Sequence, residues 1–313
     1  NGLPISNMEI SAIIKKYKQK IEINESSFFE AMTMIAFTFF KENDVDLAIL
    51  ETGLGGKFDS VTTCNPIITA FTPISMDHKE ILGDTIEKIA EEKFGIIKKN
   101  IPIFSSKQQN KVKNILKKKA EEKNAPLYFC NYKERIKPIF LKGKHQQENA
   151  HLAYDIISYL YETEKIYIKK FIEQTKWYGR YQILKSKPLI IFDVGHNEQG
   201  IRSFLEEFKK EKIIGKKYLI ITLQNRKKLH KTSKIITQIF DQIICSETGN
   251  HYSMEAEELI KFFNKKAIII KDINTAINSI DQKLEKNDSL AIVGSHYLGK
   301  SVQRVYKNNF DKL

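Results

Sequence analysis

Three segments place reactive side chains directly after runs of branched apolar residues. Glu51 follows Leu47-Ala-Ile-Leu50, Asp77-His78 follows the apolar run 67–74, and Asp193-Val-Gly-His196-Asn197 follows Leu189-Ile-Ile-Phe192. A carboxylate and an imidazole at neighbouring strand ends can hold a hard divalent cation, with water or phosphate oxygens completing the shell. The plain alternative is turn chemistry, since Asp and Asn favour turns and a His after a strand is often only hydrogen-bonded. Recurrence at three strand ends favours function. Lys93 is a further candidate: on a helix opening at Asp84-Thr-Ile-Glu87, with Asp84 expected as its cap, it shares a face with Ile86, Ile89 and Ala90. A dehydrated lysine loses its proton more readily, and the neutral amine can react with carbon dioxide to give a carbamate, a new anionic ligand. Periodicity alone favours a snorkelling or ion-paired lysine.

Two glycine-rich stretches invite a phosphate reading. Gly53-Leu-Gly-Gly56 follows the first strand and can bring backbone close to a ligand, although any tight strand-to-helix turn needs glycine. Gly294-Ser-His-Tyr-Leu-Gly299-Lys300-Ser301 fits the pattern G-x-x-x-x-G-K-[ST]. It follows the last strand, whereas a phosphate loop normally opens its sheet, so a coincidental match is expected.

Elements able to position these residues alternate along the chain. The spacing predicts a helix from Glu25 through Phe40, a buried strand over 45–50 and an apolar run at 67–74. Strands at 101–105 and 126–129 flank a lysine-rich helix at 108–123, and a helix follows at 146–161. Beyond a boundary at 177–188, strands at 189–192, 218–223, 242–245, 267–270 and 290–293 alternate with helices. This is an α/β pattern with mainly parallel sheets, in which ligands bind beyond the carboxyl ends of the strands.

Composition sets outer bounds. The 313 residues carry 51 Lys+Arg against 38 Asp+Glu, a net charge of +13, with 42% hydrophobic residues. The basic residues fall in short dispersed runs such as Lys117-Lys-Lys119 and Arg226-Lys-Lys228, so the charge reads as a solvated lysine surface and no nucleic-acid partner is expected. No stretch approaches the roughly 20 apolar residues of a membrane span. The opening Asn1-Gly-Leu-Pro-Ile-Ser6 lacks the pattern of a signal peptide. Cys64, Cys130 and Cys245 are odd in number and widely spaced, which points to a reducing, cytoplasmic compartment.

Five segments resemble the folylpolyglutamate synthase/dihydrofolate synthase family of the Mur ligase group. They are Leu50-Glu-Thr-Gly-Leu-Gly-Gly-Lys-Phe-Asp59, the stretch from Met76-Asp-His-Lys-Glu-Ile-Leu-Gly-Asp-Thr85 to Glu92-Lys-Phe-Gly-Ile-Ile97, Gly143-Lys-His-Gln-Gln-Glu-Asn-Ala150, Trp177-Tyr-Gly-Arg180, and Asp193-Val-Gly-His-Asn197. The resemblance implies a Mur-ligase-like ATPase domain at 1–180, with an N-terminally truncated parallel sheet, and a smaller Rossmann-like C-terminal domain at 181–313. The implied reaction uses ATP and Mg2+ to activate the carboxylate of dihydropteroate or a folate as an acyl phosphate, which L-glutamate then converts to an amide. Glu51 and His78 would then be magnesium ligands and Lys93 the carbamylated lysine. Asn149 would contact adenine, Arg180 the phosphates and Asp193 the ribose. Phe58, Asp59 and Ser60 would line the pteroate site, and His196 would sit in the same interdomain cleft. A monomer is implied.

The chain departs from the family pattern in two places. The family's Gly-rich phosphate loop has no counterpart, because Asn1–Ser6 resembles a segment downstream of it, so the sequence as it stands is expected to have weak or no ligase activity. The Pro-Arg-Ala stretch is replaced by Glu247-Thr-Gly-Asn-His-Tyr252. Three other readings stand beside the ligase: a non-catalytic nucleotide- or folate-binding remnant, a Mur-type cell-wall peptide ligase, and a metal-dependent hydrolase using Glu51, Asp77, His78, Asp193 and His196.

Overall fold

The computed structural model describes residues 4–162, 164–225, 229, 231–263 and 266–307, in two compact units, 1–134 and 135–313. The basic run 226–228 lies outside the described residues.

The first unit opens with two capped helices, α1 (Asn7–Ile23) and α2 (Phe28–Glu42). Each has a capping box, Ser6 with Glu9 and Ser27 with Glu30, that satisfies otherwise orphaned N–H groups. Three strands follow, β1 (Thr69–Phe71), β2 (Ile103–Ser105) and β3 (Leu127–Phe129), all parallel in the order β1-β2-β3. Between β1 and β2 lie α3 (Lys79–Leu82) and α4 (Ile86–Lys93); α5 (Asn110–Glu122) connects β2 to β3. Phe71, Ile89, Ala90, Phe94, Ile103 and Leu116 form the core of this layer. The Phe71 and Phe94 rings meet edge to face at 4.8 Å, a favourable aromatic geometry.

Two sequence expectations fail in this unit. Residues 45–50 are no strand: they join no ladder, and Ile49 is 88% exposed. An apolar run becomes a strand only where its backbone finds a ladder partner, and β1, the edge nearest in sequence, pairs with β2 alone. The α4 cap is Thr85, whose hydroxyl accepts from Lys88 N at 3.3 Å, while Asp84 takes the Lys88 ammonium at 2.9 Å.

The second unit begins with α6 (Lys144–Leu160) and α7 (Lys165–Glu173), packed together through Ala150, Tyr154, Ile168 and Ile172. Its sheet has the order β4-β5-β9-β6-β7-β8. The strands are β4 (Gln182–Ser186), β5 (Leu189–Asp193), β6 (Lys217–Ile221), β7 (Gln242–Glu247), β8 (Ala267–Asp272) and β9 (Ser289–Val293). Only the edge strand β4 runs antiparallel. Side chains alternate between two buried faces. Ile191, Leu219, Ile243 and Ala291 face α8 (Glu198–Phe208), α9 (Thr232–Ile239) and α10 (Ala256–Leu259). Ile190, Phe192, Ile220 and Ile292 face α11 (Ile273–Asp281) and α12 (Gly299–Val305). A parallel sheet covered on both faces explains the unbroken apolar runs in the sequence. The chain winds out to β8 on the first face and returns on the second to insert β9 between β5 and β6. The carboxyl ends of β5, β9 and β6 therefore meet at the switch of winding direction, where open α/β sheets leave a crevice.

The Gly294–Ser301 match is no phosphate cradle. Gly294 N donates to Asp193 O at 3.3 Å, Tyr297 N to Ser295 Oγ at 3.2 Å and Leu298 N to Ser295 O at 3.4 Å, so these three N–H groups are taken up by β5 and by the turn itself. Gly294, at φ +121°, lies where a Cβ would come 1.8 Å from the Thr222 carbonyl oxygen. Gly294→Ala is expected to cost at least about 2 kcal/mol of stability. Equilibrium urea unfolding checks this; a midpoint equal to that of the unsubstituted protein would remove the packing role.

Candidate functional site

In the first unit the Gly53–Gly56 loop is shaped by one carboxylate. Asp59, 7% exposed, accepts from Gly53 N at 2.7 Å and Leu54 N at 3.0 Å through Oδ2, and from Val61 N at 3.1 Å through Oδ1. The loop then packs backbone to backbone on the end of α4. A Cβ on Gly56 would lie 2.6 Å from the Lys93 carbonyl oxygen, and one on Gly95 would lie 2.5 Å from Lys57 Cα. Lys57 N also donates to Glu92 O at 3.0 Å. Glycine is required on both sides of this contact, and the contact sets Lys93 beside the loop.

The other expected residues of this unit have varied surroundings. Phe58 is 85% exposed at the loop's tip, with the Lys57 ammonium 5.0 Å from its ring centroid. Ser60 shares a hydroxyl–hydroxyl hydrogen bond with Thr33 at 2.7 Å. Lys93 is half-buried at the last position of α4 and Glu51 is exposed; no ion pair or hydrogen bond engages either side chain. His78 is exposed at φ +50°, its backbone N–H donating to Asp77 Oδ1 at 2.9 Å. Among the described residues no three His, Cys, Asp or Glu side chains gather closely enough to hold a metal by themselves. A magnesium ion needs less from the protein: it keeps waters, takes one or two protein ligands and draws the remaining oxygens from substrate phosphates. The free Glu51 carboxylate and the exposed His78 imidazole fit that role.

In the second unit Arg180 sits in a turn fastened on both sides. Val194 N donates to Gly179 O at 2.8 Å, and Tyr181 N donates to Asp193 Oδ2 at 2.8 Å. Asp193 Oδ1 accepts from Gly195 N at 2.7 Å. Gly179 adopts φ +71°, with Val194 Cγ1 2.6 Å from where a Cβ would be. The turn is thus bound to the carboxyl end of β5, and Arg180 projects from it without a hydrogen-bonded or ion-paired partner. Burial pushes the Asp193 carboxyl up, opposed by the N–H groups of Gly195 and Tyr181 and by the Arg180 charge.

The Arg180 charge acts on two imidazoles, His145 and His296. His196 Nδ1 lies 3.2 Å from Val194 O; a carbonyl only accepts, so this hydrogen bond uses a proton on Nδ1. The His296 ring lies 5.2 Å from that of His196. Partial burial and the Arg180 charge lower the pKa of His145, against the pull of Glu207 and Glu148. Asn149, half-buried on α6, reaches Gln146 Oε1 only at 3.5 Å. Sequence reading assigned no role to His145 or His296; one lies inside a quoted motif, the other inside the coincidental Gly294–Ser301 match. A separate cavity of about 420 Å3, lined by Glu247, Lys271, Asp272, Tyr297, Lys300 and Arg304 among others, contains none of the expected residues.

Comparison with known proteins places these features in a family. Residues 6–184 match the Mur ligase middle domain, and residues 179–296 match the Mur ligase glutamate ligase domain. The dihydrofolate synthase/folylpolyglutamate synthase of Bacillus subtilis is 28% identical over 98% of this chain and 80% of its own length. A probable dihydrofolate synthetase of Schizosaccharomyces pombe is 29% identical over 93% of this chain and 79% of its own. The folylpolyglutamate synthase of Mycobacterium tuberculosis, solved with ADP and AMPPCP, superposes with a TM-score of 0.87 at 21% identity, over 97% of this chain and 80% of that one. That of Thermotoga maritima gives 0.80 at 24% identity, over 97% and 77%. At these identities the superpositions show the fold.

Asp193→Asn replaces one acceptor oxygen by an amide that faces an N–H donor. We expect it to cost about 1–3 kcal/mol, read as a lower urea midpoint. A change within about 0.5 kcal/mol, the scatter of ordinary surface substitutions, would contradict the fastening role.

Proposed function

Because this chain belongs to the Mur ligase family, in its folylpolyglutamate synthase/dihydrofolate synthase branch, we propose that it joins L-glutamate to the carboxylate of dihydropteroate or a folate at the expense of ATP. The observation that carries the reading is Arg180: it lies where the two family matches overlap, at 179–184, and is clamped beyond the carboxyl end of β5 with no anion of its own.

In the first step a substrate carboxylate oxygen attacks the terminal phosphorus of ATP, ADP leaves, and an acyl phosphate remains. Charge on the transferring phosphoryl group must be neutralised, and a guanidinium suits two-point contact with phosphate oxygens. Arg180 has that role. Glu51 and His78 would hold a magnesium ion, which when bound would further neutralise the phosphates. Lys93, once carbamylated by carbon dioxide, would offer it an anionic oxygen; its place beside the glycine loop and its freedom from ion pairs support this. In the second step the glutamate amine attacks the acyl carbon, phosphate leaves, and the nitrogen sheds a proton. The His196 imidazole is suited to receive it.

The remaining assignments divide by what each side chain is free to do. Phe58 offers its exposed face to a flat pterin-type ring, while Asp59 and Ser60 hold the loop that presents it. Asn149 contacts the adenine edge and Asp193 the ribose, through acceptor capacity left beside its two N–H bonds. A functional division at 1–180 and 181–313 is supported by the matched ranges. We further propose that the protein works as a monomer in the cytoplasm. None of the three cysteines forms a disulfide, and among the described residues no helix is long and apolar enough to cross a membrane.

Phosphate release by the full-length protein, with ATP and magnesium, tests the reading. Release is expected only when L-glutamate and dihydropteroate, or a folate, are both present. Arg180→Ala is expected to lower kcat by about a hundredfold, the scale of losing one preorganised group that stabilises developing charge. Release that ignores either co-substrate, or full activity of the alanine variant, would overturn it.

A further inference from the structure

β5 and β9 are parallel neighbours with Asp193 opposite Val293, and each is followed three residues later by a histidine. The register therefore starts both loops side by side. The Gly294 N to Asp193 O hydrogen bond keeps them together, and the two rings come to 5.2 Å, inclined by 53°. His296 opens a 3-10 turn capped by Ser295, which fixes its backbone.

We propose that His296 joins Arg180 and His196 to hold an anionic group of a substrate, a carboxylate or a phosphate, and takes up a proton as that group binds. The charges that act on His296 are those of Arg180 and His196, both cationic when protonated, and no carboxylate is among them. The Asp193 carboxylate at the end of β5 has an N–H donor on each of its oxygens. Three cation-forming groups thus gather beyond the ends of β5 and β9, with Asp193 offsetting part of the Arg180 charge but no carboxylate among the charges acting on His296. Partial burial, His196 and Arg180 together hold the His296 imidazole below the ordinary histidine range, so it is largely neutral at pH 7. An anion placed among the three reverses the sign of the local field and favours the imidazolium. His296 is then a positioning residue whose grip on the anion weakens as pH rises.

Only the identity of the anion rests on the ligase reading, where two sources exist: the phosphates of the nucleotide and the carboxylates of L-glutamate. Imidazole resonances of the full-length protein, labelled at Cε1 and assigned with His296→Gln, would be titrated with pH in three states. These are the free protein, the protein with ADP and magnesium, and the protein with L-glutamate at high concentration. A rise of about one pH unit or more in the His296 midpoint with one ligand is expected, a tenfold change in proton affinity. The ligand that produces it names the source. His296→Gln should weaken that ligand about three- to tenfold at pH 6.5, and His296→Lys, with a fixed charge, should retain affinity without the pH dependence. A merely structural role would not separate Gln from Lys. An unmoved His296 midpoint with both ligands, or equal affinity in the Gln variant, overturns the proposal. Turnover is not measured, so failure of the ligase reading would register separately as loss of substrate-dependent phosphate release.

Discussion

A single carboxylate, Asp193, governs the second unit's site. One oxygen holds Tyr181 N and the other holds Gly195 N, so the residue bridges the turn before β4 and the loop after β5. Arg180 lies between that bond and the Gly179–Val194 pair. A long cationic side chain has many rotamers, and fixing its backbone on both sides reduces what an incoming anion must order. Ionised Asp193 also offsets part of the local positive charge, which otherwise disfavours gathering arginine and histidines in one crevice.

The first unit uses the same device. Asp59 gathers the N–H groups of Gly53, Leu54 and Val61, and the shaped loop docks through Gly56 and Gly95 on the end of α4. In each unit a carboxylate that reads in sequence as a ligand-binding group is spent mainly on backbone, and beside it stands Phe58, exposed at the loop's tip, or Arg180, without an ion pair. The functional loops are therefore rigid in backbone and open in side chain, as a binding site on an α/β scaffold requires.

Apolar periodicity made most of this architecture legible. The alternation from Leu189 to Val293 and the unbroken strand runs follow from a sheet buried on both faces, and they led directly to Asp193 and His196. The segments that escaped have physical reasons. α7 shows only Ile168 and Ile172 buried among lysines, and β4 is a polar edge strand paired on one side. Residues 45–50 carry the pattern of a strand but join no ladder, because pattern encodes a preference for burial and pairing depends on a neighbour. His296 escaped because its meeting with His196 is set by the β5–β9 register across about a hundred residues, which no local pattern records.

The central claim is that the substrate carboxylate is activated by phosphorylation in the crevice that Arg180 serves. The most direct measurement uses dihydropteroate or folate labelled with 18O in the reacting carboxylate, turned over with ATP and L-glutamate, and the mass of the released phosphate. An acyl phosphate passes one carboxylate oxygen to phosphorus, so the account predicts inorganic phosphate carrying one 18O atom per turnover. Unlabelled phosphate, with amide product formed, would mean that the carboxylate never bonds to phosphorus and would contradict the account.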